Sequence, residues 1–180
     1  MAWEFVVLDW FQSIQNPVLT SILKFVTMLG EAGWFWILLG VLLLCSRKYR
    51  PCGVAVLLAL LLDLVLANII MKPLLARPRP CWVRDPVEML VRVPKDYSFP
   101  SGHTMASFAA AGALYFTKRT WGCWAMVLAF FMGSSRLYFY VHFPTDVLAG
   151  LFLGLLCGYL GALFMKKAGN TKFGKLYKEG

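Results

Sequence analysis

Long apolar runs without a charged residue constrain the fold of this chain more than any other feature. One of them, 147–165, contains no Asp, Glu, Lys or Arg, and similar runs cover much of the preceding sequence. About 20 apolar residues in a helix are needed to cross the roughly 30 Å hydrocarbon layer of a bilayer. Hydrophobic residues make up 59% of the chain, charged residues 15%, and the mean hydropathy is +0.65. We therefore predict an all-α fold, a polytopic membrane helical bundle formed by a single domain over 1–180.

Five of the apolar runs predict helices that span the membrane in alternating directions. A shorter run, 18–29, contains Lys24 and follows an Asn-Pro pair, which breaks any helix that enters it. With this run included, we expect about six transmembrane helices. The five predicted spans are 34–45, 54–71, 101–116, 121–141 and 146–165.

Residues 1–15 have a different pattern. Apolar side chains recur there at helical spacing, and the polar residues Glu4, Asp9, Gln12 and Gln15 lie among them. This pattern is typical of a helix that lies in the plane of the membrane surface. It predicts an N-terminal amphipathic interfacial helix.

The formal net charge of +9 is distributed in a way that argues against a nucleic-acid partner. Basic residues cluster at alternate ends of the apolar runs, and the positive-inside rule places such clusters in the cytoplasm. We therefore expect a multi-pass protein of the cell (plasma) membrane, with a basic cytoplasmic tail at 166–180. Membrane lipids are the expected charge partners, and no protein partner is implied. The basic clusters are Arg47, Lys48 and Arg50; Lys118 and Arg119; and Lys166, Lys167, Lys172, Lys175 and Lys178.

Three short polar motifs lie next to the ends of apolar runs, and the predicted topology puts all three on the extracytoplasmic side. The first contains Lys72 and Arg79, the second contains His103, and the third contains His142 and Asp146. Segments distant in the sequence are thus expected to converge at one membrane depth, as an active site requires. The candidate catalytic residues are His142, His103 and Asp146, and the candidate phosphate-binding residues are Lys72, Arg79, Ser101, Gly102 and Arg136.

These residue types suit the transfer of a phosphoryl group. Arg and Lys side chains, and the backbone N–H groups of a Ser-Gly turn at a helix start, bind anionic oxygens. His142 and Asp146 are four residues apart, so on a helical turn the carboxylate can bind one ring nitrogen and leave the other as the nucleophile. His103, from another segment, is placed to act as a general acid. Cations and backbone donors match the charge of the transition state, so no metal or other cofactor is expected.

The three motifs resemble the signature of the type 2 phosphatidic acid phosphatase superfamily: Lys-x6-Arg-Pro, Pro-Ser-Gly-His and Ser-Arg-x5-His-x3-Asp. The surrounding apolar runs fit its membrane branch, which includes bacterial undecaprenyl diphosphatases and phosphatidylglycerophosphate phosphatases. The resemblance implies that His142 forms a phosphohistidine intermediate, with Asp146 orienting it. It also implies that His103 protonates the leaving oxygen and later activates water, and that the five candidate phosphate-binding residues hold the phosphate.

The expected function is that of an integral-membrane lipid phosphate phosphatase that removes a terminal phosphate from a lipid (di)phosphate. Undecaprenyl diphosphate is the favoured substrate, because its recycling requires dephosphorylation on the extracytoplasmic side. Phosphatidylglycerophosphate and phosphatidate are the alternatives. A lipid transporter or flippase would explain the spans but would not require the His-Asp spacing. A vanadate-dependent haloperoxidase has a similar pocket, but such enzymes are typically large and soluble.

Two charges within apolar runs, Lys24 and Asp63, are hypothesised to pair between helices, because an unpaired charge there is costly. Asn68 lies one helical turn before Lys72 and is expected to steady it.

The long connection 80–99 is expected to be a lid or a substrate contact, as loops of this length beside functional groups often are. Arg77 and Arg84 fit either an extension of the cationic field or a solvated loop.

Overall fold

The structure, a computed structural model, describes residues 2–84, 86 and 89–169. Within these residues every regular element is a helix, which confirms the all-α prediction. The part of the predicted tail from 170 onwards lies outside the described residues. The helices are α1 (Ala2–Ser13), α2 (Pro17–Leu29), α3 (Trp34–Leu44), α4 (Arg50–Asp63), α5 (Lys72–Leu75), α6 (Pro80–Val83), α7 (Gly102–Thr117), α8 (Arg119–Tyr138) and α9 (Pro144–Gly169). A 3-10 turn (Glu31–Gly33) joins α2 to α3, and a π-helical segment (Leu64–Met71) joins α4 to α5.

The apolar helices are those of a membrane protein. Two helical stretches, Arg50–Val83 and Pro144–Ala168, are each long and apolar enough to cross a bilayer. The helix α2 and the stretch Glu31–Leu44 meet the same requirement as a pair, with a bend of 45° between them. α7 and α8 coincide with two further predicted spans to within a few residues. The total of about six spans stays a prediction.

α7 lies at the centre of the bundle and packs closely against α9. A Cβ added at Gly154 of α9 would lie 2.4 Å from the carbonyl oxygen of Met105 in α7, and one at Gly158 would lie 2.7 Å from that of Ala109. The facing surface of α7 is built from small side chains such as Ala109 and Ala113, both fully buried. Small residues let two helix backbones approach this closely. The contact therefore fixes the position of the start of α7 relative to the start of α9.

The N-terminal helix is present close to the predicted range, but Glu4, one of its two acidic residues, faces inwards. Leu8 is fully buried and Glu4 is only 3% exposed, so the Glu4 carboxylate points into the protein. The exposed side chains of α1 include the apolar Trp3, Val6 and Trp10. The location of α1 at a membrane interface stays a prediction.

Lys24 and Asp63 do not form the hypothesised ion pair, so that prediction is wrong. Asp63 is buried at the end of α4, and its Oδ1 has no hydrogen-bond partner within the described part of the chain. Lys24 is exposed on α2, although both residues line the same cavity. Counting helical rise placed the two charges at a similar depth. It did not fix the rotation of each helix, which decides where a side chain points.

Candidate active site

The three polar motifs meet around one cavity of about 1030 Å³. Apolar side chains of α2, α3, α4 and the π-helical segment form another part of its wall. Residues 91–96 also line it, so the loop 80–99 reaches the cavity, and its role as a lid or substrate contact stays a prediction. Positions 85, 87 and 88 of that loop lie outside the described residues. The motif residues in the wall are Lys72, Arg79, Gly102, His103, Arg136 and His142, and the apolar residues include Met28, Ile37, Leu57, Leu60, Leu61 and Leu64.

His142 lies in the turn between α8 and α9, where Tyr140 adopts a φ of +59° and reverses the chain. The His142 side chain is 2% exposed, and its Nε2 lies 3.0 Å from Nη1 of Arg79. Because a guanidinium only donates, Nε2 is the acceptor in this contact. Burial is the main cause that lowers the pKa of His142 to about 3; the charges of Arg79 and Arg136 act in the same direction, and Asp146 opposes them. The ring is therefore neutral, and the Nε2 lone pair accepts the hydrogen bond from Arg79.

Asp146 is fully buried in the first turn of α9, and its Oδ2 lies 3.6 Å from Nδ1 of His142. This distance is too long for a hydrogen bond, so the direct bond predicted from the spacing is not formed. The Ser98 hydroxyl donates to Oδ2 of Asp146 and lies 3.4 Å from Nδ1 of His142. The N–H of Phe143 donates to the same Oδ2 at 2.8 Å. The prediction assumed one helical turn through both residues, whereas α9 begins only at Pro144.

Lys72 and Arg79 converge on the carboxylate of Asp96. Nζ of Lys72 donates to Oδ2, and Nη2 of Arg79 donates to Oδ1 at 2.7 Å. Partial burial raises the pKa of Asp96, but the hydrogen bonds and charges of the two cations outweigh it and lower the pKa to about 2. Nζ of Lys72 also donates to Oδ1 of Asn68 at 2.9 Å, which confirms that Asn68 steadies the lysine. The two cations are thus held together by one anion at the cavity wall.

Arg136 is buried in the last turn of α8 and is held there by α2. Its Nη1 donates to Oγ1 of Thr27 at 2.6 Å. Two residues further along α8, the hydroxyl of Tyr138 forms a 2.7 Å hydrogen bond with Oγ1 of Thr20, also on α2. Nε of Arg136 is buried and has no hydrogen-bond partner among the described residues. A strong cationic donor is therefore positioned in the cavity wall with bonding capacity to spare.

His103 enters the cavity from the first turn of α7 and packs against the bend between α2 and α3. A Cβ added at Gly30 would lie only 2.8 Å from Cδ2 of His103, so the glycine provides the space for the ring. Gly102 faces the first motif, because a Cβ there would lie 3.6 Å from Nζ of Lys72. The start of α7 therefore contacts both the lysine and the bend at Gly30.

Ser101 is fully buried directly before α7. Its N–H donates to the carbonyl oxygen of Asp146 at 3.2 Å, and its Oγ accepts a hydrogen bond from the hydroxyl of Thr104 at 2.9 Å. Its side chain makes no capping bond to the backbone of α7. Ser101 therefore ties the starts of α7 and α9 together.

Sequence reasoning missed several polar residues that contact the predicted set. Ser98 lies only two residues before the Pro-Ser-Gly-His motif, and a polar side chain so close to a motif is a signal that was available. Thr27 carries no such signal, because a threonine in an apolar helix is common. Arg77 was left undecided, yet it binds Asp146 directly.

A helical membrane bundle that gathers cations, two histidines and a carboxylate around one cavity defines a membrane phosphatase. The chain belongs to the PAP2 superfamily, whose sequence profile matches residues 52–170.

The similarity extends to individual proteins and to solved structures. The chain is 31% identical over 148 residues to the undecaprenyl-diphosphatase of Sulfolobus acidocaldarius, covering 81% of this chain and 70% of that protein. The crystal structure of LpxE from Aquifex aeolicus superposes with a TM-score of 0.76 at 29% identity, over 87% of this chain and 93% of the other. The transmembrane PAP2 type phosphatidylglycerolphosphate phosphatase of Bacillus subtilis superposes with a TM-score of 0.77 at 29% identity, over 96% and 88%.

Proposed function

We propose that the protein hydrolyses the terminal phosphate of a membrane lipid (di)phosphate through a phosphohistidine intermediate on His142. The observation that carries the proposal is the 3.0 Å contact between Nε2 of His142 and the Arg79 guanidinium. It holds Nε2 of a neutral imidazole at the wall of a cavity that Lys72 and Arg136 also line, and a phosphate that draws the Arg79 N–H to its own oxygen frees the lone pair for attack. Cations around a nucleophile stabilise the charge on a phosphoryl group in transfer.

In the first half-reaction, Nε2 of His142 forms a bond to phosphorus while the bond from phosphorus to the lipid oxygen breaks. His103 gives its proton to that oxygen, so the lipid leaves as a neutral hydroxyl or as a protonated phosphate. The imidazole becomes positively charged when it is phosphorylated, and the buried Asp146 carboxylate stabilises that charge with Ser98 between them. No metal ion is needed in this scheme.

In the second half-reaction, His103 takes a proton from a water molecule that attacks the phosphorus. The bond from Nε2 to phosphorus breaks, and inorganic phosphate leaves. Throughout both steps Lys72, Arg79 and Arg136 bind the non-bridging oxygens, together with the Ser101 hydroxyl and the Gly102 N–H at the start of α7.

Undecaprenyl diphosphate is the substrate we favour. The relative from Sulfolobus acidocaldarius carries the name undecaprenyl-diphosphatase, and the apolar side of the cavity suits a hydrocarbon chain next to a charged head group. Phosphatidylglycerophosphate is the second candidate, because the Bacillus subtilis enzyme that superposes on this chain is a phosphatidylglycerolphosphate phosphatase. Phosphatidate fits the same chemistry.

In the cell, we place the protein in the plasma membrane as a multi-pass protein. The basic clusters put the C-terminus in the cytoplasm and the cavity on the extracytoplasmic side. A lipid phosphate would then reach the cavity by diffusion within the membrane. The apolar wall formed by α2, α3 and α4 gives its hydrocarbon chain a surface of matching polarity.

The proposal is tested by the release of inorganic phosphate from undecaprenyl diphosphate, phosphatidylglycerophosphate and phosphatidate. The purified protein is assayed in detergent with EDTA, beside His142→Ala. We expect release that is unaffected by EDTA and lost in the variant, with relative kcat/KM values that rank the substrates. Movement of lipid across vesicles without phosphate release, by folded protein, would instead support the transporter alternative.

A further inference from the structure

Arg77 connects the N-terminal helix to the carboxylate behind the proposed nucleophile. Its Nη1 donates to Oδ1 of Asp146 and, at 2.6 Å, to Oγ1 of Thr145. Its Nη2 donates to both carboxylate oxygens of Glu4, at 3.1 and 2.9 Å. Thr145 in turn donates to Oε1 of Glu4 at 2.7 Å. The guanidinium also lies 4.2 Å from the centre of the Phe143 ring. Arg77 therefore contacts polar groups through Nη1 and Nη2 and an aromatic ring through one face of its guanidinium.

This cluster is largely withdrawn from solvent. The side chain of Arg77 is 17% exposed, that of Glu4 is 4% exposed, and that of Asp146 is fully buried. Buried charges are tolerated when their polar atoms are hydrogen-bonded, as they are here. A planar guanidinium fixes the direction of its donors, so Arg77 sets the orientation of the Asp146 carboxylate and does more than neutralise it.

Arg77 and Arg79 contact opposite ends of the pair formed by His142 and Asp146. They are separated by one residue in the irregular segment between α5 and α6, and their side chains point to different partners. Arg79 contacts Nε2 of His142, the nitrogen that faces the cavity. Arg77 contacts Oδ1 of Asp146, on the side away from the ring, while Oδ2 faces the ring. One short segment therefore holds the pair from both ends.

We propose that Arg77 is a positioning residue for the phosphohistidine step, acting through Asp146, and that Glu4 balances its charge. The inference rests on the proposed function. When Nε2 of His142 bonds to phosphorus, the proton on Nδ1 must stay on the ring, and the ring carries a positive charge. The hydrogen bond from Arg77 makes Asp146 a weaker base, so the proton stays on Nδ1.

Glu4 gives the N-terminal helix a part in this arrangement. Without Glu4, the positive charge of Arg77 would offset the negative charge of Asp146 and weaken its attraction for the phosphorylated ring. With Glu4 present, the row of three groups retains one net negative charge. The helix α1 is therefore a support of the active site through one carboxylate.

The test compares Arg77→Gln with Arg84→Gln as a matched control. Arg84 also links the loop to α1, through an ion pair between its Nη2 and Oδ1 of Asp9, but this pair is half-exposed and does not touch Asp146. Each variant is assayed for kcat, KM and thermal unfolding in detergent, on whichever of undecaprenyl diphosphate or phosphatidylglycerophosphate the wild type turns over. His142→Ala is included in the same series.

We expect Arg77→Gln to lower kcat by about 10- to 100-fold, the range found when outer partners of metal-bound histidines are removed. KM should change little, Arg77→Lys should restore part of kcat, and Arg84→Gln should retain the wild-type kcat. A wild-type kcat in Arg77→Gln, or an equal loss in Arg84→Gln, would overturn the inference, because Arg77 would then be a tether only.

If Arg77→Gln does not fold, Glu4→Gln tests the proposed positioning role in its place. It should lower kcat at unchanged KM by a smaller factor than Arg77→Gln, and a wild-type kcat in folded Glu4→Gln would overturn the inference. A wild type that releases no phosphate, or a His142→Ala variant that still turns over, would overturn the proposed function and this inference with it. If His142→Ala loses activity and Arg77→Gln keeps the wild-type kcat, the role of Arg77 is overturned and the proposed function stands.

Discussion

Nη1 of Arg79 donates to Nε2 of His142 over 3.0 Å, so a residue predicted to bind phosphate also orients the predicted nucleophile. Nη1 also donates to the carbonyl oxygen of Val141 at 2.8 Å, whereas Nε and Nη2 donate to the loop before α7, including Oδ1 of Asp96. A phosphate that takes the place of the Asp96 carboxylate would therefore be bound by the same group that holds the attacking lone pair. A phosphate that draws the Arg79 N–H away from Nε2 would free the lone pair to attack phosphorus.

The burial of His142 makes the free energy of unfolding depend on pH. Its pKa is lowered to about 3 in the folded protein, whereas an unfolded histidine titrates near 6.5. Between these values the unfolded chain binds a proton that the folded chain does not, so stability is fully present above pH 6.5 and is lost as the pH falls towards 3. From pH 7 to pH 5, the wild type should lose about 2 kcal/mol more than His142→Asn. Denaturant unfolding in detergent at both pH values measures the free energy of unfolding. Equal losses in wild type and His142→Asn would contradict a neutral His142 ring in the folded protein.

Asp96 is expected to compete with phosphate for Lys72 and Arg79. Asp96→Asn should lower the Ki of inorganic phosphate by up to about fivefold, in line with the roughly 1 kcal/mol of an exposed ion pair. Because the pKa of Asp96 is about 2, the ratio between wild type and variant should stay constant from pH 5 to pH 9. Asp9→Asn, which removes a half-exposed carboxylate paired with Arg84, is the control. Weaker phosphate binding in Asp96→Asn would show that this carboxylate supports the site instead of competing in it.

Gly30 provides the space for the His103 ring, so Gly30→Ala should displace the proposed general acid. The added methyl group would lie 2.8 Å from Cδ2 of His103, and the ring must move. We expect a lower kcat with little change in unfolding temperature, measured in detergent. Gly40→Ala is a matched control, because its Cβ would meet the Leu57 side chain at the same 2.8 Å, between α3 and α4. Equal kcat values for the two variants would contradict the role assigned to the position of His103.

The contact between α7 and α9 should control stability and catalysis together. Gly154→Ala would place a Cβ 2.4 Å from the backbone oxygen of Met105, and overpacking of this kind costs about 1–3 kcal/mol. Because α7 carries His103 and α9 carries Asp146, we expect kcat to fall as well. Gly161→Ala, whose Cβ would lie 2.6 Å from the carbonyl oxygen of Ala55 in α4, should lower the unfolding temperature with a smaller effect on kcat.

The sequence was informative about which residues meet and less informative about how they meet. Motif residues at the ends of apolar runs were predicted to converge, and those of all three motifs do surround one cavity. The spacing of His142 and Asp146 correctly predicted proximity. The predicted pair lies 3.6 Å apart, longer than a hydrogen bond, because a turn and not a helix carries His142, and the Ser98 hydroxyl binds Asp146 beside the ring.

Side-chain direction explains the other differences. Lys24 and Asp63 were placed at a similar depth by counting residues, and both line one cavity, but Lys24 is exposed, Asp63 is buried and the two do not pair. Arg77 and Arg79 are equivalent in charge, and only the irregular backbone between α5 and α6 sends one to Asp146 and the other to His142. Glu4 was assigned to a surface helix, and its contact with Arg77 depends on packing that local periodicity does not specify.

The most direct test of a phosphohistidine intermediate is to trap the enzyme during turnover and locate the phosphoryl group. Wild-type protein is mixed with undecaprenyl diphosphate or phosphatidylglycerophosphate, quenched in alkali to preserve phosphohistidine, and mapped by peptide mass spectrometry, beside His142→Asn. The proposed mechanism predicts one acid-labile phosphoryl group on His142 that is absent in the variant. Turnover without a phosphorylated enzyme, or a phosphoryl group on any other residue, would contradict it.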